Sequence, residues 1–134
     1  MAANFKGLTP ETKRKMDMFM RACAAQQNIT LKGAGIIITH AVRTAAEQNA
    51  LWQIGRDSKG RAIGKTVTNA KAGKSMHEIG KAFDICFLIN KRASYVGPWE
   101  QVGQIGEKCG LEWGGRWTIA KEGIVDKPHF QSNN

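Results

Sequence analysis

The 134 residues predict one α+β domain: a largely antiparallel sheet with flanking helices. Helical spacing of apolar residues recurs in two separate stretches, a capping box opens a further helix, and strand-like runs stand between them. The connections are too short for repeated strand–helix–strand crossovers. No internal repeat and no Pro/Ser-rich linker divides the chain, whose length suits a single core burying about two-thirds of the unfolded surface.

Thr9-Pro10-Glu11 supplies an N-cap hydroxyl, a proline at the first helical position and an acid in the first turn. Met16, Phe19, Met20, Cys23 and Ala24 then repeat at i, i+3, i+4, i+7 and i+8, which predicts a core-facing helix to about Gln27. Gly35 to Thr39, enclosing Ile36-Ile37-Ile38, reads as a short buried strand that His40, Ala41 and Val42 carry to Arg43. Thr44-Ala45-Ala46-Glu47 is a capping box, so the next helix opens there, runs through Leu51, Trp52 and Ile54, and stops near Gly55. Arg43 thus stands at a strand-to-helix junction, where polar side chains often face a ligand.

Between Arg56 and Lys74 no period survives, and six cations face the single Asp57, a net +5 that is more than half of the whole chain's excess. A connection of this length is a solvated loop or a basic rim for an anionic substrate. Ala82 to Ile89 alternates, with Phe83, Ile85, Phe87 and Ile89 on one face and Ala82, Asp84, Cys86 and Leu88 on the other. Asp84 therefore points away from the large apolar face. Gly97-Pro98 opens a third helix through Trp99, Val102, Ile105 and Cys109, closed by Gly110. The tail, Leu111 to Phe130, is rich in tryptophan and glycine.

With 20 basic and 11 acidic residues, a net charge of +9, the chain is drawn to polyanions. No short run gathers the cations with interleaved aromatics, which argues against specific nucleic-acid binding. Cys23, Cys86 and Cys109 have neither paired spacing nor even number and read as free, buried thiols. No apolar run marks a secretory signal or a membrane span, so the expectation is synthesis in the cytoplasm.

The chemistry centres on Ser75-Met76-His77-Glu78-Ile79-Gly80-Lys81-Ala82-Phe83-Asp84. On one strand His77 and Asp84 would lie roughly 23 Å apart on opposite faces, and on one helix about 10 Å apart along the axis. Neither fits a metal whose bonds are about 2 Å long, so the chain must bend, and Gly80 is the residue able to bend it. His77 is therefore placed on a loop or short strand before the turn, with Asp84 on the strand after it. A helical His-Glu-x-x-His site is excluded because position 81 is Lys81, which leaves Glu78 as a solvated side chain. The remaining histidines that can supply a third ligand are His40 and His129; Pro128 stiffens the backbone ahead of His129. Two histidines, one aspartate and an open position describe a catalytic rather than a structural zinc site, and Asp126 can stand beside it without binding.

The run Ser75-x-His77-x-x-Gly80-x-Ala82-x-Asp84, with Asp126-x-x-His129, resembles the signature of zinc peptidases that share the D-alanyl-D-alanine metallopeptidase and Hedgehog-type fold. Arg43-Thr44, Ala46-Glu47-Gln48-Asn49-Ala50-Leu51, Thr68-Asn69-Ala70-Lys71, Gly110-Leu111-Glu112-Trp113-Gly114-Gly115 and Pro128-His129-Phe130 are similar to the phage L-alanyl-D-glutamate endopeptidases, single-domain endolysins that cut peptidoglycan stems. The similarity spans about residues 30 to 131, and the N-terminal helix adds little to it.

That resemblance implies one catalytic zinc ion held by His77, Asp84 and His129, with Asp126 as the catalytic base. It implies that Arg43 grips a substrate carboxylate by a two-pronged contact. Ser75 either bonds near the metal or substrate or makes the turn, and Trp113 and Trp117 either wall the pocket or pack in the core. His40 departs from the family pattern, which has a small residue there, and reads as a surface side chain. The implied partners are bacterial peptidoglycan as substrate and a holin as a functional rather than stable partner. The implied protein is a monomer made in the host cytoplasm and acting in the periplasm and cell wall. The alternatives are a D-alanyl-D-alanine carboxypeptidase and, in another class, a non-catalytic zinc-bearing or polyanion-binding module.

Overall fold

The computed structural model describes residues 3–68, 70–71 and 73–134. Of the run Thr68-Asn69-Ala70-Lys71, Asn69 lies outside the described residues. The chain folds as α1 (Pro10–Gln26), β1 (Gly35–His40), α2 (Ala45–Gln53), β2 (Ala82–Ile89), β3 (Arg92–Ser94), α3 (Trp99–Lys108), β4 (Glu112–Trp113), α4 (Ile119–Glu122) and β5 (His129–Gln131). A turn of 3-10 helix, Gly114–Arg116, follows β4.

Helix starts are set by their caps. The Thr9 hydroxyl accepts from the Thr12 N–H, with Pro10 in the first turn. At α2 the Thr44 hydroxyl and the Glu47 side chain satisfy each other's backbone N–H. α1 buries Met16, Phe19 and Cys23 as its spacing predicts, but Ala24 is exposed, and Thr12 and Lys15 are buried instead. The stripe turns toward the core one turn earlier than its apolar residues suggest.

All strand pairs are antiparallel, and β2 is the central strand. β1 lies along one edge of it, β5 and β3 share the other, and β4 pairs with β5. The large side chains of β2 point inward: Phe83, Ile85 and Phe87 are fully buried against Phe19 of α1, Val102 of α3 and Phe130 of β5. Phe83 and Phe130 stack at 5.8 Å, and Phe19 packs on Phe130 at 4.9 Å. These rings join α1 to the same two strands that carry Asp84 and His129. Truncating one such ring costs about 3–5 kcal/mol.

β1 is half-buried rather than buried, because it is an outer strand of the sheet. It ends at His40, so Ala41 to Arg43 leave the sheet instead of continuing the strand. Its register shifts between Ile38, opposite Ile85, and His40, opposite Asp84. Thr39 is the extra residue of a bulge, a device that re-aims side chains next to sites. The cysteines are free; Cys23 and Cys86 are buried, whereas Cys109 is half-buried.

The bend between His77 and Asp84 occurs where glycine permits it: Gly80 has φ +72°. A Cβ there would also fall onto the carbonyl oxygen of Gly7. The segment before α1 is thus laid across the turn, with Thr9 N–H donating to Gly80 O at 3.0 Å and Val42 N–H donating to Asn4 O at 2.8 Å. One stretch of backbone ties the end of β1 to the turn that carries His77.

Candidate metal centre

Three elements deliver three ligand atoms. His77 sits in the turn before β2, Asp84 on the outward face of β2, and His129 opposite Asp84 in the β2–β5 register. The Nε2 of His77 lies 3.3 Å from Asp84 Oδ1, the Nδ1 of His129 lies 3.4 Å from the same oxygen, and the two nitrogens are 3.2 Å apart. Donors at the corners of a tetrahedral zinc site with bonds of about 2.0–2.1 Å are themselves about 3.3–3.4 Å apart. The triangle has that edge.

The protons also fit. His77 Nδ1 lies 2.7 Å from the carbonyl oxygen of Ala41, so it carries the hydrogen and Nε2 carries the lone pair. His129 Nε2 lies 2.8 Å from Gln131 Oε1, so Nδ1 is the bare nitrogen. Asp84 Oδ1 is buried without a hydrogen-bond donor. Three lone-pair atoms converging in a buried corner repel one another unless a cation lies among them. Without a metal ion the same crowding is relieved by protons on the histidines. Burial alone would raise the pKa of Asp84, but His129 and His77 beside it hold it well below the usual carboxylate range. Burial works against charge on His129, yet Asp84 next to it raises its pKa. A cation is what this corner favours.

The trio lies on the floor of an open cleft of about 670 Å³ that Arg43, Thr68, Trp117 and Asp126 help to line. Asp126 is pushed above its ordinary pKa first by burial and then by the charge of Asp84, while His129, His77 and Arg43 pull the other way. Its N–H donates to Gly114 O at 2.9 Å, and its own carbonyl accepts from the His129 N–H at 3.1 Å. The strand end that presents His129 therefore also holds Asp126.

Arg43 uses both terminal nitrogens on protein groups: Nη2 on Asp84 Oδ2 at 3.1 Å and Nη1 on Gln48 Oε1 at 3.1 Å. Gln48, fully buried, passes on to Ala70 O at 2.6 Å, so Arg43 links β2 to the basic loop. Sequence reading gave Gln48 no role; its one signal is a polar side chain in the turn after the capping box. Ser75 makes the turn, its Oγ accepting from the His77 N–H at 3.2 Å, and it also lines the cleft. Trp113 is a core residue, its indole N–H bonded to Lys127 O at 2.7 Å, whereas Trp117 stands in the cleft wall against the His129 ring. His40 is exposed, as read, but lines the cleft with Nδ1 3.9 Å from Asp84 Oδ2. Glu78 is not simply solvated: its carboxylate accepts from the Gly73 N–H at 2.8 Å and braces the approach to the turn.

The basic loop has one isolated bridge, between Arg56 and Ala62, and no other regular pairing among its described residues. It is nonetheless anchored, since Arg56 and Lys71 lie over the Trp52 ring at 4.4 and 4.8 Å.

A family model described as D-alanyl-D-alanine carboxypeptidase matches residues 68–132. The chain is 31% identical over 137 residues to the peptidoglycan L-alanyl-D-glutamate endopeptidase CwlK of Bacillus subtilis, covering 92% of this chain and 72% of that protein. Among solved structures, the L-Ala D-Glu endopeptidase ChiX of Serratia marcescens superposes with a TM-score of 0.66 at 20% identity, over 97% of this chain and 84% of that one. The D,D-pentapeptidase VanY in complex with Zn(II) superposes with a TM-score of 0.68 at 16% identity, over 95% and 73%. The two structures share the fold, and the motifs around the trio fall inside the matched region. The chain therefore belongs to the D-alanyl-D-alanine metallopeptidase family, the zinc peptidases that include CwlK.

Proposed function

We propose that the chain is a peptidoglycan endopeptidase that hydrolyses the bond between L-alanine and D-glutamate in stem peptides. The observation that carries the reading is the triangle of His77 Nε2, Asp84 Oδ1 and His129 Nδ1 on the floor of an open cleft that Asp126 also lines. Zinc held by these three residues would supply a Lewis acid for the scissile carbonyl and acidify a water near neutral pH.

The chain's own residues do the rest. The Asp126 carboxylate takes the proton of the attacking water and delivers it to the leaving amine. Burial and the neighbouring Asp84 raise its pKa, which makes it a stronger base than a surface aspartate. Arg43 lines the cleft, and each of its terminal nitrogens has a second N–H beyond the one bonded to Asp84 or Gln48. Those hydrogens suit the free carboxylate on the carbon that bears the leaving nitrogen. Trp117 walls the site beside His129, and Lys74 of the basic loop lines the cleft, a cation placed to meet an anionic substrate.

The likeness of the Arg43-Thr44, Ala46 to Leu51 and Gly110 to Gly115 runs to phage endopeptidases supports a finer reading. In it the protein is a monomeric endolysin, made in the host cytoplasm, released by a holin and acting on the wall during host lysis. No described helix is long and apolar enough to cross a membrane.

Mass spectrometry of muropeptides digested by the zinc-loaded protein tests the bond. New peptides beginning at D-glutamate, with L-alanine left on the sugar-linked side, are expected. Release of D-alanine alone would make it a D-alanyl-D-alanine carboxypeptidase, a bond for which Arg43 is equally suited.

A further inference from the structure

His129 meets the trio through Nδ1, and its other nitrogen opens a chain of side chains leading away from the centre. Nε2 lies 2.8 Å from Gln131 Oε1; Gln131 Nε2 lies 2.9 Å from Asn133 Oδ1; Asn133 Nδ2 lies 2.8 Å from Glu112 Oε1. Trp117 Nε1 reaches the other Glu112 oxygen at 2.7 Å, and its ring packs back on the His129 imidazole at 4.9 Å between centroids. Strand geometry explains the assembly. His129 and Gln131 are alternate residues of β5 and share a face, and Glu112 of β4 is the register partner of Gln131.

The direction of every bond in this loop follows from its far end. An indole N–H only donates and a carboxylate only accepts, so Glu112 shows acceptors to both neighbours. Asn133 must turn its amide nitrogen to Glu112 and its oxygen to Gln131. Gln131 must then give its nitrogen to Asn133 and its oxygen to His129. Facing an acceptor, His129 keeps its proton on Nε2, and Nδ1 is left with the lone pair.

We propose that Gln131, Asn133 and Glu112 are positioning residues for the metal centre, a polarised relay that sets the tautomer and ring orientation of His129. The inference rests on the zinc reading of the trio. His77 obtains the same result from the single backbone carbonyl of Ala41, an acceptor that no side-chain substitution removes. His129 has no such partner at Nε2 and depends on a side chain.

Two measurements test this. Zinc affinity by competition with a chromophoric chelator is expected to fall about 10–100-fold in Gln131→Leu, as outer-shell losses commonly do, and to stay within about threefold of wild type in Gln131→Glu, which keeps an acceptor. Glu112→Gln is nearly isosteric and exposed, so it preserves folding, but it replaces one of the two acceptor oxygens that face Trp117 and Asn133 with an NH2 donor, and the relay can reverse. It is expected to bind zinc several-fold more weakly, on the order of 10-fold at most. Nitrogen-15 NMR of the metal-free protein, recorded at a pH high enough for the His129 ring to be neutral, reads the tautomer directly: Nε2–H at His129 in wild type, and a mixture in Gln131→Leu and Glu112→Gln. Wild-type zinc affinity and an unchanged Nε2–H tautomer in both variants would overturn the relay. Failure of the wild type to bind zinc would instead overturn the zinc reading, with the tautomer measurement still deciding the relay.

Discussion

Alanine at Gly114 is a one-methyl test of how Asp126 is placed. A Cβ built there would stand 2.3 Å from the Asp126 carbonyl oxygen and 3.2 Å from its carbonyl carbon and Cβ. Real Cβ contacts do not close below 3.0 Å, so something must yield by at least 0.7 Å. The obstacle is backbone, so no rotamer change relieves it, and the peptide of Asp126 has to move. Displacement of a catalytic group by about 1 Å costs on the order of 100-fold in rate. Overpacking of this size costs about 1–3 kcal/mol in stability. His77 and Asp84 sit on other elements, but the His129 N–H is bonded to the same Asp126 carbonyl, so Gly114→Ala should weaken zinc binding by about 10-fold, on the scale of a perturbed outer shell, while kcat of the zinc-saturated protein falls about 100-fold. The assay is chromatographic turnover of a purified muropeptide, with zinc content measured on the same sample. Gly64→Ala serves as control, since its nearest neighbour would be Gly55 Cα at 3.9 Å and it should be silent. Full turnover in Gly114→Ala would mean that Asp126 is not held by this contact or does not act in the reaction.

Asp126→Asn should retain zinc and lose about 100-fold or more in turnover, the usual contribution of a general base, measured by the same assay. The pH dependence of stability follows from the raised pKa of Asp126. The folded state holds its proton more tightly than the unfolded chain, so the contribution is full below the unfolded pKa and is lost as pH rises through the folded one. At neutral pH metal-free Asp126→Asn should therefore melt no lower than wild type; a clear drop in Tm would refute this. Arg43→Ala strands Oδ2 of the half-buried Asp84 and should cost about 1–3 kcal/mol in denaturant unfolding. Arg43→Lys, with charge but no fork, should fall between wild type and Arg43→Ala in the same unfolding measurement, and a lysine variant as stable as wild type would show that the two-pronged contact to Asp84 and Gln48 is unimportant to the fold.

Much of this centre is legible in local sequence because local rules govern it. Thr9 and Thr44 set helix starts, the large apolar residues of β2 stand on one face although Ala82 and Cys86 on the other are buried as well, and Gly80 is the one residue between His77 and Asp84 that can turn the chain. What stays hidden depends on register between distant segments. The pairing of Glu112 with Gln131 and the bulge at Thr39 are set by sheet packing, and nothing within either segment encodes its partner. The burial of Gln48 follows from the basic loop folding over α2, and the role of residues 3–9 from Gly7 crossing Gly80. Trp113 and Trp117 are alike in composition, but the 3-10 turn between them sends one into the core and the other to the cleft.

The most direct test is titration of zinc into chelator-stripped protein while muropeptide cleavage is followed. The cluster of His77, Asp84 and His129, the single one among the described residues, requires cleavage to rise from zero and level off at one equivalent of zinc, and to stay at zero in His77→Ala. Undiminished cleavage in the stripped protein, or in His77→Ala, would contradict it.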